Sequence, residues 1–170
     1  IAKEPRPGLA KTRLIPALGA EGAAQLADRL LKHTLEQALT AAIGPVELCV
    51  APDSRAPYWQ QLPMASEVEL SQQVDGDLGH RMAAAAQHGL ANGIPVMLIG
   101  TDCPALEAAQ LKAMAASLHS HDACLCPVSD GGYSLLGLHR PEPSVFRDIP
   151  WSTSEVAGLT RRKFHQLGWR

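Results

Sequence analysis

Apolar positions alternate along the chain between short continuous runs and longer stretches at helical spacing. Ile1-Ala2 reads as the tail of a first strand. Between residues 20 and 42, Leu26, Leu30, Leu35 and Leu39 recur near a period of 3.6, which predicts a helix ended by Gly44-Pro45. Residues 46–51 form a short apolar strand, and 57–62 a brief helix. Val68, Leu70 and Val74 alternate with polar residues and predict a strand with one polar face. Residues 78–91 and 107–118 are helical in pattern, the second with Leu111, Met114, Ala115 and Leu118 on one side. Residues 95–100 and 122–127 are unbroken apolar runs, as expected of parallel strands buried on both faces. Gly131-Gly132 leads into a strand over 133–138. Ser152-Thr153-Ser154-Glu155 has the spacing of a capping box, so Ser152 is expected to open a last helix running to about residue 167.

Strands and helices in alternation predict an α/β fold, a three-layer αβα sandwich with a mostly parallel sheet. Ligands of such sheets bind beyond the carboxyl ends of the strands. The loops after Ala2, Ile99 and Pro127 are expected at that edge. No repeat, linker or low-complexity segment interrupts the pattern, which predicts one domain over 1–170. The chain does not begin with Met, so the first strand and the extreme C-terminus are expected to be incomplete.

Composition narrows the choice of function. A net charge of -2 argues against a nucleic-acid partner. No apolar run is long enough to span a membrane, so no membrane partner is expected. Cys49, Cys103, Cys124 and Cys126 lack zinc-ligand spacing and read as small buried hydrophobes of a cytoplasmic protein. An apolar edge on a small domain leaves homodimerisation open.

Local charge carries more information than the total. Residues 1–14 place Lys3, Lys11 and Arg13 around the flexible Gly8, a composition suited to wrapping a phosphate chain. The spacing is not that of a Walker loop. Asp102 directly follows an apolar strand, where a carboxylate can hold Mg²⁺ or cap the next turn. Asp130 precedes Gly131-Gly132, a site for a second carboxylate or a plain tight turn. In the Gly76-Asp77-Leu78-Gly79-His80-Arg81-Met82 segment, free helix N–H groups and Arg81 suit an anion, whereas Asp75 or Asp77 as ordinary N-cap is the simpler reading. The seven histidines read as surface residues, with His80 nearest to a site, and Trp151 either walls a pocket or packs.

Taken in order, five motifs resemble one known family. They are K-x-P-x-P-G-x-x-K-T-R-L, G-D-L-G-x-R-M, G-T-D-C-P-x-L, P-x-x-D-G-G-Y-x-L-L-G-L and I-P-W-S-T. Together they are similar to the bacterial rSAM/selenodomain-associated transferase 1 family, of the GT-A-fold nucleotide-diphospho-sugar transferase superfamily. They also look distantly like the guanylyltransferases of molybdenum-cofactor and coenzyme F420 synthesis. The resemblance implies that Lys3, Gly8, Lys11, Thr12 and Arg13 form a nucleotide phosphate loop. It implies that Gly76, Asp77, Gly79 and Arg81 lie near the nucleoside or acceptor, that Asp102 binds Mg²⁺ (or Mn²⁺), and that Asp130 is a second ligand or base. Lys11 and Asp130 would then be the catalytic pair.

Glycosyltransferases of that fold usually carry Asp-x-Asp, where this chain has Gly100-Thr101-Asp102. A single acid and a strongly cationic front loop are closer to a nucleotidyltransferase. The leading expectation is glycosyl transfer from a nucleotide sugar to a small-molecule acceptor. The alternatives are nucleotidyl transfer from an NTP with release of pyrophosphate, and a non-catalytic nucleotide-binding module.

Overall fold

The periodic leucines of the first quarter of the chain do form a helix, and it organises one of two units. The computed structural model describes residues 1–170, with Ala65 described by its backbone alone. One unit comprises Ile1–Gln73 and Thr101–Leu111, the other Val74–Gly100 and Lys112–Arg170.

In the first unit, helix α1 spans Ile15–Ala41. Gly19, at φ 69° and ψ 166°, breaks it, so the regular part starts where the leucine period does. Ala24, Leu31, Leu35 and Ala38 recur at steps of seven, four and three and form its buried stripe. That stripe packs on a parallel sheet of order β1-β2-β3, made of Ala2–Lys3, Glu47–Ala51 and Glu69–Gln72. Ala2 pairs with Val50 and Leu48 with Leu70. Leu48 and Val50 are buried with Leu31, Leu35 and Trp59 in one cluster. Trp59 belongs to the short helix α2, Pro57–Gln60, and donates its indole N–H to the Asp53 carbonyl at 2.9 Å.

Beyond the carboxyl edge of this sheet the loops are tied together. Glu4 N–H donates to the Ala51 carbonyl at 2.8 Å, and the buried Gln73 donates its side-chain amide to Ala2 and Cys49 carbonyls at 2.8 and 3.0 Å. Without Gln73 those donors would have to come from water at the strand ends.

One polar cluster ties α1 to α2 through Asp28. Tyr58 hydroxyl donates to Asp28 Oδ1 at 2.6 Å, and Lys32 Nζ to Asp28 Oδ2 at 2.9 Å. Burial pushes the Asp28 pKa up, but the hydrogen bonds of Lys32 and Tyr58 outweigh it and leave the pKa below its ordinary 3.8. A carboxyl depressed by folding stabilises the fold fully above the unfolded pKa, and that contribution is lost as pH falls through the folded value. Asp28→Asn is therefore expected to cost about 1 kcal/mol near neutral pH, roughly 2–4 °C in a thermal melt, and to lose that difference from wild type as acid protonates the wild-type carboxyl.

The second unit departs from the expected parallel sheet. Strands β4, β5 and β6 are Val96–Ile99, Ala123–Pro127 and Tyr133–Leu138, in the order β4-β6-β5, with β6 antiparallel to both neighbours. The apolar runs of β4 and β5 identified strands but carried no information on direction. The short connection of residues 128–132 settles it for β5 against β6, because strands joined by so few residues run antiparallel. Burial is also redistributed. In β6 every residue from Ser134 to Leu138 is buried, whereas β4 buries one residue fully and β5 none. The structure thus contains one parallel and one antiparallel sheet of three strands each.

Helix α3 is Leu78–Gly89, and α4, Ala108–Ser117, carries the chain from the first unit into the second. Helix α5, Val156–Gln166, packs Val156, Ala157 and Thr160 inward. Its start corrects the capping-box reading. Ser152 has φ 67° and lies in a turn, Glu155 occupies the N-cap, and no side chain caps the helix. The Ala157 N–H instead donates to the Gly131 carbonyl at 2.9 Å, so a tertiary partner replaces the local one. No helix among the described residues is long and apolar enough to cross a membrane.

Candidate functional site

The loop after β1 is shaped by two left-handed residues. Gly8 has φ 77°, and a Cβ built there meets nothing within 4 Å, so backbone conformation and not crowding calls for glycine. The loop is closed by Leu9 and Ala10 N–H groups donating to the Arg6 carbonyl at 3.0 and 3.2 Å. Lys11 also has a left-handed conformation, φ 46° and ψ 43°, and starts a 3₁₀ turn over Thr12–Leu14. A non-glycine residue held there is uncommon and worth a functional question.

The Lys11 side chain leads across to the Gly100-Thr101-Asp102 segment. Its Nζ donates to Asp102 Oδ1 at 2.8 Å. The two ends differ in exposure, 15% for the Lys11 side chain and 78% for that of Asp102. Helix α1 holds the backbone behind Asp102. His33 Nε2 donates to the Pro104 carbonyl at 3.0 Å, and Gln37 Oε1 accepts from the Ala108 N–H at 3.0 Å. His33 and Gln37 are four residues apart, on one face of α1. Sequence reasoning placed His33 on the surface and did not single out Gln37. Their spacing was legible, but their partners lie 71 residues downstream.

The other expected residues of this loop line the same unit. Lys3, Gly8, Thr12 and Arg13 are exposed, and only Lys11 among the expected phosphate-loop cations is mostly covered. Asp102 offers one exposed carboxylate, and among the described residues no three His, Cys, Asp or Glu side chains gather as a metal cage. That donor set fits Mg²⁺, which takes one or two carboxylates and completes its shell with substrate phosphate and water. It does not fit a metal held by protein ligands alone.

The remaining expected residues belong to the second unit. Asp130 is exposed, and its Oδ1 accepts the Gly132 N–H at 2.8 Å, closing the turn between β5 and β6. Asp77 caps α3, accepting the His80 N–H at 2.8 Å and pairing with His80 Nδ1 at 2.9 Å. Those backbone and side-chain hydrogen bonds from His80 hold the Asp77 pKa below its usual value. Arg81 donates its Nε–H to the Gly76 carbonyl at 3.0 Å. Gly79 is buried, and a Cβ there would lie 2.7 Å from Trp151 Nε1 and 2.8 Å from the Phe146 carbonyl oxygen. Close packing of Trp151 on α3 therefore accounts for Gly79, and it gives Trp151 the packing role of the two it was offered.

Comparison with solved structures gives the class. The chain superposes with a TM-score of 0.84 on a protein of Desulfovibrio desulfuricans described as a "putative nucleotide-diphospho-sugar transferase". The two are 29% identical over 99% of this chain and 74% of the other. Residues 34–153 match a family described as uncharacterized proteins conserved in bacteria, DUF2064, and the chain belongs to that family. No curated protein matches it.

Proposed function

We propose that the chain is a Mg²⁺-dependent transferase that binds a nucleotide sugar by its diphosphate and passes the sugar to a small-molecule acceptor. The observation that carries this reading is the Lys11–Asp102 pair, a cation and a carboxylate 91 residues apart meeting at 2.8 Å beside the loop that follows β1. The likeness to the Desulfovibrio protein supports the substrate class.

In this proposal the acceptor hydroxyl attacks the anomeric carbon, the bond from that carbon to the phosphate oxygen breaks, and the nucleoside diphosphate leaves with the electron pair. Lys11 and Arg13 stabilise the charge that grows on the departing oxygens. The backbone at Gly8 lets the phosphates approach closely. Mg²⁺ held by Asp102 would neutralise the diphosphate. Asp130 would take the acceptor proton.

A second reading, nucleotidyl transfer, is favoured by the lone acid of Gly100-Thr101-Asp102. There the acceptor's phosphate oxygen attacks the α-phosphorus and pyrophosphate leaves. Thermal melts against NTPs, NDPs and UDP-, GDP-, dTDP- and ADP-sugars, with and without Mg²⁺, separate the two. A ligand at a hundred times its Kd adds about 2.7 kcal/mol, roughly 5–10 °C here. The expected result is Mg²⁺-dependent stabilisation by a nucleotide sugar beyond that by the NTP of the same base. Preference for the NTP moves the assignment to nucleotidyl transfer. No shift with any nucleotide removes both readings.

A further inference from the structure

Lys11 has an anionic partner within its own chain. Its ammonium donates to Asp102 Oδ1 at 2.8 Å, in the place where the nucleotide reading would put a phosphate oxygen. We propose that Asp102 acts as an intramolecular stand-in for phosphate that competes with the diphosphate for Lys11, and that a divalent cation held by Asp102 would relieve this competition. The proposal rests on the nucleotide reading and adds a rule to it: metal and diphosphate bind together, and metal-free diphosphate is resisted.

The exchange falls to the Asp102 side chain because of how each partner is held. Lys11 is mostly covered, and its left-handed backbone is fixed by the Leu14 N–H donating to the Lys11 carbonyl at 2.9 Å. The backbone on the far side of Asp102 is fastened to α1 through His33 and Gln37. The Asp102 carboxylate itself is 78% exposed and meets Lys11 through Oδ1. A rotation about its own side-chain bonds, a motion of picoseconds to nanoseconds, is enough to release it. An exposed partner also makes the pair weak, so the latch biases binding without blocking it.

A double-mutant cycle with inorganic pyrophosphate as the probe tests this. Affinity is measured by calorimetry in EDTA and again in Mg²⁺, for wild type, Asp102→Asn, Lys11→Ala and the double variant, with each fold checked by melting. In EDTA, Asp102→Asn is expected to bind pyrophosphate about three- to tenfold more tightly than wild type. In Mg²⁺ the order reverses, because the carboxylate that would anchor the metal is gone. In the Lys11→Ala background the same Asp102→Asn change moves the metal-free affinity by less than about twofold.

A gain in EDTA that persists without Lys11 would be general charge repulsion and would overturn the latch. So would the absence of any gain in Asp102→Asn. Wild type that binds pyrophosphate in Mg²⁺ while either of those results holds keeps the nucleotide reading and loses only the latch. Wild type that binds no pyrophosphate under either condition removes both.

Discussion

Gly131→Ala lowers the unfolding midpoint by about 6–12 °C, the effect of roughly 3 kcal/mol on a chain of this size. Two costs combine at this position. Gly131 has φ 87°, a conformation that a side chain strains. A Cβ there would also lie 2.5 Å from both the carbonyl carbon and the Cα of Ser154, and closer still to its carbonyl oxygen. Those neighbours are backbone atoms and cannot rotate aside. Shifting them would also disturb the hydrogen bond from Ala157 N–H to the Gly131 carbonyl that substitutes for a helix cap. Gly93→Ala is the internal control, since Gly93 has φ 72° with nothing within 4 Å of a built Cβ. It carries the conformational cost alone, about 1 kcal/mol. Urea unfolding of the two variants decides the matter: equal losses would mean that the contact with Ser154 is not made in solution.

Lys11→Ala weakens Mg²⁺-nucleotide binding about ten- to a hundredfold, the range of one charge-assisted hydrogen bond to phosphate, roughly 1.5–3 kcal/mol. The loss is large because the Lys11 side chain is only 15% exposed, so water screens it less than its neighbours. Lys3→Ala and Arg13→Ala change exposed cations of the same loop and are expected to cost about threefold or less. The contrast matters more than any single value. Titration of the three variants with one nucleotide in Mg²⁺ should rank Lys11 far above the others. Equal losses would reduce the loop to a diffuse positive field and remove the specific role of Lys11.

What could be seen in the sequence follows from the range of the forces involved. Helices α1, α3 and α4 were legible because their signals, apolar period and flanking Gly or Pro, act within a few turns. Strand positions were legible for the same reason, and β6 was placed at its observed bounds, Tyr133–Leu138. Strand direction was not, because an apolar run such as Val96–Ile99 reports burial and says nothing about which neighbour supplies the hydrogen bonds. The short turn at 128–132 held that information for β5 and β6, and although a tight turn was one reading of Asp130-Gly131-Gly132, its consequence for strand direction was not drawn. The start of α5 failed in a related way. Ser152-Thr153-Ser154-Glu155 has the right letters for a local cap, but a carbonyl twenty-odd residues upstream in sequence took the bond.

The candidate site divides along the same line. Lys11 and Asp102 were each flagged from local context, one by a basic glycine loop, the other by a strand end. The α/β pattern placed their two loops at one sheet edge, but the direct Lys11–Asp102 contact is a tertiary detail that neither segment announces. At Gly79, which the resemblance places near the nucleoside or acceptor, the indole of Trp151 stands where a Cβ would be. A glycine reports that something comes close without saying what.

The route of the chain through its two units bears on synthesis. Residues 1–73 emerge first, yet the first unit is completed by 101–111, the stretch that brings Asp102 to Lys11, Pro104 to His33 and Ala108 to Gln37. While the ribosome is still making Val74–Gly100, α1 therefore waits with that face unpaired. At about 5–20 residues per second the wait lasts seconds, far longer than helix formation needs. A fragment cut after Gln73 would lack the 101–111 stretch that completes the first unit.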